Sequence, residues 1–318
     1  MLEMDTSLKK RFEEAAAALK ARLEKKPDRD FLRKTIVEKG AGSFLECKEM
    51  DSDMLASIVE KGGVAGVDGS TNSKGGIFPY VVTLQQALAR HCNREEEILL
   101  SDAFSPLLFE KDLSEDDYRQ YIKKNLSALE ANAAILAVEE FKPRVLLIDG
   151  SLVRFKIEAS QQWERLKQKA LEHETLLVGV VEGISTGIIS STLEDAMPHF
   201  SYRAMDWEML FGLLEMGEVL EMAPGLFKEG LRTCFARFSY DPKPIGIDMP
   251  EEQYAFLNQV KDLLFTLTPK NGRGIPLWLD IIDNKVRITD AMMEGLLNAC
   301  LGEDYAEYIM AKRSKRAI

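Results

Sequence analysis

The sequence is poor in the residues that build zinc sites and disulfide frameworks. Its 318 residues include four cysteines and three histidines, and no two cysteines form a C-x-x-C pair. This scarcity argues against a zinc ribbon and against a disulfide-stapled fold. A bound metal ion would therefore need oxygen ligands, which favours Mg²⁺ or Mn²⁺ over Zn²⁺.

Long apolar runs are also missing. No stretch approaches the roughly 20 apolar residues that a membrane-spanning helix needs. The N-terminus "MLEMDTSLKKRFEEAAAALKARLEKK" is charged from its start and lacks the apolar core of a signal peptide. We therefore expect a cytoplasmic protein that has no membrane partner.

The sequence has fewer basic than acidic residues. The formal net charge is −11 and the isoelectric point is near 5.0. Non-specific binding of nucleic acid depends on Lys and Arg that replace counterions on phosphate, so the acidity counts against it. Net charge describes the global field and leaves open what one local site does.

The N-terminal part of the chain is predicted to be helical. Residues 5–26 show apolar side chains at helical spacing, with Lys and Glu between them. Residues 31–39 predict a second, shorter helix ahead of "GAGS". We therefore divide the chain into a helical extension, residues 1–60, and a main domain, residues 61–318.

The main domain opens with closely spaced strands and then alternates strands with helices. The run at 145–148 is uniformly apolar, which predicts a central strand buried on both faces. The other predicted elements of this half are strands at 62–70, 77–84, 98–100 and 175–181 and helices at 115–140 and 159–172. This order predicts hairpins followed by crossovers, and so an α/β fold with a mixed sheet flanked by helices.

The second half has a less regular pattern. The predicted elements are a helix at 202–222, strands at 234–241 and 244–250, a helix at 251–268, a Gly-rich loop leading into a helix at 271–289, and further helices from about 289 to the basic tail.

Two short segments repeat the same motif after an apolar strand. "VDGS" places Asp68, and "LIDGSL" places Asp149, where a strand is predicted to end. In mixed α/β sheets, ligands bind at that edge. Gly69 and Gly150 would let the chain turn sharply. Asp-Gly-Ser is also a good turn sequence in its own right, so a turn and a ligand site both remain open.

Further acidic residues lie next to apolar positions. Glu130 borders the apolar stripe of the long predicted helix, where an ionised carboxylate is costly unless it is paired, binds a cation or reaches solvent at the margin. Asp280 and Asp283 form another acidic pair in "LDIID". Together with Asp68 and Asp149, these carboxylates suit two divalent ions, which point to a metal-dependent nuclease or phosphatase.

One resemblance is to the actin-like and sugar-kinase ATPases. "DGSTNSK" (68–74) is similar to their first phosphate loop, in which a strand-ending Asp precedes Gly, Ser or Thr and a basic residue, here Lys74. The second motif, however, lacks the extra glycines of that family, no adenosine loop follows, and a Walker A motif is absent.

A second resemblance covers more of the chain, roughly residues 60–290. "GVDGS", "NLSALEANAAILAVEE", "VLLIDGSL", "LLVGVVEGIST" and "GIPLWLDIIDNKVRI" follow the order of matching features in the NurA family. The chain therefore resembles nucleases of DNA-end processing that have an RNase H-like fold.

The NurA resemblance implies an activity and partners. It implies a Mn²⁺- or Mg²⁺-dependent nuclease on DNA, with single-strand endonuclease and 5′→3′ exonuclease activity, that acts in DNA end resection and double-strand break repair. It also implies a homodimer that works with a hexameric HerA-type ATPase.

We assign roles to the carboxylates on this basis. Asp68 and Asp149 are expected to bridge or anchor two metal ions. Glu130 would position the second ion or the attacking water, and Asp283 would complete the set. Ser70, Ser151 and Arg154 are candidates for substrate contacts, although Arg154 equally suits a surface salt bridge.

Two positions depart from the family pattern. Asp283 stands where the family commonly has His, and Glu182 stands where it commonly has Lys, so a phosphate contact is either lost or supplied elsewhere. Asp206 and Asp280 are expected to be structural. Two alternatives therefore remain: an inactive nuclease-like dimer that only docks on its motor, and an ATP-dependent phosphotransferase.

Overall fold

The computed structural model describes residues 6–24, 26–196, 205–227 and 230–302. Its strands are β1 (Gly42–Glu46), β2 (Val64–Gly75), β3 (Val81–His91), β4 (Glu97–Phe104), β5 (Val145–Asp149), β6 (Leu176–Val181), β7 (Glu218–Met222), β8 (Leu231–Arg237) and β9 (Ile245–Pro250). Its helices are α1 (Thr6–Glu24), α2 (Arg29–Glu38), α3 (Ser52–Glu60), α4 (Glu115–Phe141), α5 (Leu152–Glu158), α6 (Ser160–Glu172), α7 (Ile188–Thr192), α8 (Asp206–Leu210), α9 (Leu257–Leu267), α10 (Leu277–Val286) and α11 (Asp290–Leu301). Short 3₁₀ helices lie at Pro106–Leu108, Glu194–Ala196 and Glu251–Phe256.

Within the described ranges, the strands form one nine-stranded sheet in the order β1-β7-β8-β9-β6-β5-β2-β3-β4. β5 pairs in parallel with both β2 and β6, and the remaining pairs are antiparallel. The predicted mixed α/β sheet with flanking helices is therefore confirmed.

β5 lies at the centre of the core because its side chains are apolar on both faces. Val145 and Leu147 pack into the cluster that contains residues of α9 and α10. Leu146 and Ile148 pack into the opposite cluster with α4 and α6. All four are fully buried, so the sequence prediction of a strand covered on both sides is correct.

Small residues bring α4 close to the sheet. The helix begins after Ser114, whose Oγ accepts a hydrogen bond from the Asp117 amide at 3.1 Å. It ends at Lys142, which adopts a left-handed conformation directly before a proline. Its buried face includes Ala131 and Ala134, whose short side chains allow the helix to lie close to β2 and β3. This close packing carries Glu130 into the interior.

α10 crosses the other face of β2 directly above Gly66. A Cβ atom at Gly66 would lie 2.5 Å from Ile282 Cδ1 and 3.1 Å from Trp278 Cδ1. Only glycine permits that approach. Because side chains alternate along a strand, Asp68 points to the same face as Gly66 and thus toward α10.

Two sequence predictions in the outer half of the sheet are wrong. The helical extension contains β1, which pairs with β7 as the edge strand. The helix predicted at 202–222 is replaced, within the described residues, by the one-turn α8 and by β7. β7 is held between β1 and β8, so sheet pairing overrides its helical local pattern. Residues 202–204 and the basic tail lie outside the described residues.

None of the helices in the described ranges is long and apolar enough to cross a membrane.

Candidate metal centre

Asp68 and Asp149 lie level with each other on adjacent parallel strands. The parallel register pairs Val67 of β2 with Ile148 of β5, and each Asp is the next residue along its strand. Asp149 also pairs with Val180 of β6. Asp149 ends β5 as predicted, but β2 continues past Asp68 to Gly75, so the prediction that a strand ends at Asp68 is wrong. The two carboxylates still lie level where the pairing of β2 with β5 ends.

The two Asp-Gly-Ser motifs have different backbones. After Asp149 the chain turns at Gly150, which has φ +105°, as predicted. After Asp68 it does not turn, because β2 continues to Gly75 in antiparallel register with β3. Gly69 instead makes room for Glu130: a Cβ atom there would lie 2.3 Å from Glu130 Oε1. The turn assigned to Gly69 was wrong, and close side-chain approach is the reason for this glycine.

Glu130 is buried and held by an arginine from the neighbouring helix. Its side chain is 2 % exposed. Arg154, in the first turn of α5, donates to Glu130 Oε1 at 3.2 Å and also contacts Oε2. The same guanidinium donates to the carbonyl of Asp149 at 3.3 Å. Arg154 thus links Glu130 to the end of β5 and supplies positive charge beneath the carboxylates.

The two serines of the motifs make contacts within the protein. Ser70 Oγ accepts a hydrogen bond from the Ile288 amide at 3.0 Å, which ties the end of α10 to β2. Ser151 is the N-cap of α5, and its hydroxyl donates to the buried Asp248 at 2.7 Å. Contact of either serine with substrate stays a prediction.

The acidic residues of α10 and of the loop after β6 all pair with basic residues. Asp283, whose side chain is 34 % exposed, pairs with Arg287 at 2.9 Å. Asp280 accepts a hydrogen bond from Arg273 Nε at 3.1 Å. Glu182 pairs with the same Arg273 at 3.0 Å and with Lys243 at 3.5 Å.

Asp206 has a structural environment. It is fully buried and accepts hydrogen bonds from the Thr186 hydroxyl at 2.6 Å and from the Ile189 amide at 2.9 Å. These contacts cap α7, in agreement with the structural role expected from the sequence.

Lys74 does not support a nucleotide-binding loop. It lies near the far end of β2 and pairs with Asp290 of α11 at 3.1 Å. Because the strand continues straight between Asp68 and Lys74, no phosphate-binding turn forms there. The ATPase resemblance therefore has no counterpart in the backbone.

Burial and mutual repulsion raise the pKa values of the central carboxyl groups. Burial raises the pKa of Asp68 to about 7, and the charge of Asp149 adds to the effect. Burial, together with the charge of Asp283, raises the pKa of Asp149 to about 6. Burial raises the pKa of Glu130 to about 8 even though Arg154 acts in the opposite direction. Asp68 and Asp149 thus act on the pKa of Glu130, and Asp283 acts on the pKa values of Asp68 and Asp149.

This donor set fits a hard divalent cation. It offers only carboxylate oxygens, which Mg²⁺ and Mn²⁺ prefer. The repulsion among the four groups would be relieved by a cation placed among them. Within the described ranges, no three His, Cys, Asp or Glu side chains already stand in a metal-binding group. Arg154 and Arg287 instead balance part of the charge, so ligation would require these side chains to reorient.

In the metal-free protein, the three raised pKa values predict a loss of stability with rising pH. In the folded chain, the pKa of Asp68 is raised to about 7, that of Asp149 to about 6 and that of Glu130 to about 8. In the unfolded chain, carboxyl groups titrate at about pH 4. Between these limits the folded chain binds more protons, so the free energy of unfolding falls as pH rises. Urea unfolding in EDTA at about pH 5.5 and about pH 8 measures this fall in the free energy of unfolding. Equal or greater stability at the higher pH would contradict it.

Some residues of the site were missed by sequence reasoning. Arg273, Arg287 and Asp248 contact predicted site residues, yet none was singled out. The one usable signal was the "NGRG" segment ahead of α10, in which Arg273 stands between two glycines.

A sequence model of the NurA domain matches residues 62–288. The chain belongs to the NurA family. The match includes all four proposed metal-binding carboxylates of this NurA protein. No curated protein gave a significant match to the sequence.

Solved NurA structures share the fold. A crystal structure of NurA is 11% identical with a TM-score of 0.53, and the alignment covers 95% of this chain and 99% of that one. A crystal structure of NurA bound to dAMP and manganese is 12% identical with a TM-score of 0.51, and covers 96% and 99%. The RNase H-like fold expected from the sequence is confirmed.

Proposed function

We propose that this NurA-family protein is a metal-dependent DNA nuclease. The observation that carries the proposal is the placement of Asp68 and Asp149 level with each other on two parallel strands, with the buried Glu130 of α4 against Gly69. Membership of the NurA family and the dAMP and manganese in one solved NurA structure support the same function.

The side chains have distinct roles in this proposal. Asp68, Glu130, Asp149 and Asp283 would hold two Mn²⁺ or Mg²⁺ ions. When bound, the ions would supply activation of a water molecule and stabilisation of the leaving oxygen. Asp68 and Asp149 anchor the site because their strands are rigidly paired. Glu130 positions the second ion or the attacking water, and Arg154 orients Glu130. Asp283 closes the set from the more exposed side.

The finer function follows the NurA resemblance. We propose single-strand endonuclease and 5′→3′ exonuclease activity in DNA end resection during double-strand break repair, in the cytoplasm. A homodimer would work with a hexameric HerA-type ATPase. The net charge of −11 supports a motor that delivers the DNA, because the chain itself has little excess positive charge with which to attract it.

Cleavage of end-labelled single-stranded DNA tests the proposal. Incubation with Mn²⁺, Mg²⁺ or EDTA should give cleavage with a metal ion and none with EDTA, and labels at the 5′ and 3′ ends report polarity. Absence of cleavage under every metal condition would refute the nuclease. ATP hydrolysis in its place would favour the phosphotransferase, and binding of a HerA-type ATPase without cleavage would favour the inactive docking protein.

A further inference from the structure

Arg273 stands at the rim of the candidate metal centre. It lies in the loop ahead of α10, where Gly274 adopts φ +88°. Its Nη1 donates to Glu182 Oε2 at 3.0 Å, and its Nε donates to Asp280 Oδ1 at 3.1 Å. Glu182 directly follows β6, and Asp280 lies in the first turn of α10. The guanidinium therefore spans two elements that border Asp149.

Arg273 keeps donors available for a ligand. A guanidinium has five N–H groups, arranged as a rigid fork. Within the described chain, hydrogen bonds of Arg273 use three of the five, one to Glu182 and two to Asp280. The side chain is 47 % exposed, so the remaining N–H groups on Nη1 and Nη2 are accessible. Glu182 follows β6, whose Val180 pairs with Asp149, and Asp280 shares α10 with Asp283, so the guanidinium lies at the same end of the sheet as the candidate metal centre.

Two other arginines lie near the site, and each pairs with a proposed metal ligand. Arg154 makes contacts with both oxygens of Glu130 and with the carbonyl of Asp149. Arg287 faces Asp283 across one helical turn. A phosphodiester that approaches this carboxylate-rich edge needs a cation to offset repulsion, and Arg is well suited to bind phosphate through two N–H groups at once.

We propose that Arg273 binds a phosphate group of the DNA substrate next to the scissile bond, and that Glu182 and Asp280 position it. This inference rests on the proposed nuclease function. In this proposal, Glu182 and Asp280 orient Arg273, because one carboxylate on each side of the guanidinium fixes its plane.

Cleavage kinetics of Arg273→Ala, Arg273→Lys and Arg119→Ala test the proposal. Loss of a charge-assisted contact predicts a kcat/KM about 10- to 100-fold lower for Arg273→Ala. Arg273→Lys should retain part of the activity, because it keeps the charge and loses the fork. Arg119→Ala is the control, since Arg119 lies in an exposed pair with Glu115, about 16 Å along α4 from Glu130.

A relocated cation gives a sharper test. The end of the residue 182 side chain already lies 3.0 Å from the guanidinium. In Arg273→Ala/Glu182→Lys, a lysine at 182 would bring positive charge to the same place, so kcat/KM should rise well above that of Arg273→Ala. A double variant no better than Arg273→Ala would overturn the assignment.

Salt dependence distinguishes a phosphate contact from a structural role. The affinity for a labelled single-stranded oligonucleotide, measured by anisotropy in EDTA over a range of salt, should show a slope smaller by about 0.7 for Arg273→Ala. An unchanged slope, or wild-type cleavage by Arg273→Ala, would overturn this inference and leave the nuclease intact. Absence of cleavage by the wild-type protein would instead refute the proposed function.

Discussion

Replacing Asp149 by asparagine is expected to abolish metal-dependent DNA cleavage and to stabilise the metal-free protein. The amide keeps the shape of the side chain and removes an anionic ligand, so a loss of about a thousandfold or more in kcat is expected. Burial and the charge of Asp283 raise the pKa of Asp149 to about 6, so at pH 8 its ionised form destabilises the folded chain. In EDTA, the free energy of unfolding of the variant should therefore be about 1 to 2 kcal/mol higher than that of the wild type.

The opposite signs of the two effects make the test specific. Cleavage assays and urea unfolding at about pH 8 measure them on the same preparations. Asp112→Asn is a matched control, because Asp112 lies exposed in the loop ahead of α4 and should change neither quantity. Wild-type cleavage by Asp149→Asn, or a metal-free variant less stable than the wild type, would contradict the account.

Replacing Gly69 by alanine is expected to displace Glu130 and to lower activity by about a hundredfold. The φ angle of Gly69 lies outside the left-handed region, so alanine suits the backbone. Its Cβ atom, however, would lie 2.3 Å from Glu130 Oε1 and 2.7 Å from Glu130 Cγ. Since Glu130 is packed in the interior, the clash should also cost about 1 to 3 kcal/mol of stability.

Two further variants separate the clash from a general effect of alanine. Gly183→Ala places a Cβ atom in open space in the loop after β6 and should leave activity and stability unchanged. In Gly69→Ala/Glu130→Asp, the shorter side chain should restore stability while activity stays low, because the carboxylate no longer reaches its position. Kinetics and thermal unfolding of all three provide the measurement. Gly69→Ala with wild-type activity would show that the position of Glu130 does not matter for cleavage.

Much of the central fold was predictable because its signals are local. The apolar run 145–148 and the helical spacing of 115–140 led directly to β5 and α4. Asp68 and Asp149 were each expected at the end of a strand; Asp149 ends β5, whereas Asp68 lies within β2, level with it. The outer strands β1 and β7 were missed because their pairing with each other, rather than their local sequence, keeps them extended.

The contacts around the carboxylates were predictable only in part. The sequence suggested that Glu130 needs a counter-charge, but Arg154 lies 24 residues away and reaches it only because α5 packs against α4. Gly69 was taken for a turn residue because its dependence on Glu130 appears only when α4 is placed on the sheet. Arg273 was overlooked because its partners, Glu182 and Asp280, are brought together by the sheet and by α10.

The central claim is that Asp68, Glu130, Asp149 and Asp283 hold divalent metal ions. Calorimetric titration of Mn²⁺ into the wild-type protein, Asp149→Asn and Asp112→Asn tests it most directly. The account predicts two ions bound per wild-type chain with release of protons, unchanged binding by Asp112→Asn, and loss of at least one ion by Asp149→Asn. Equal stoichiometry and affinity in the wild type and Asp149→Asn would contradict it.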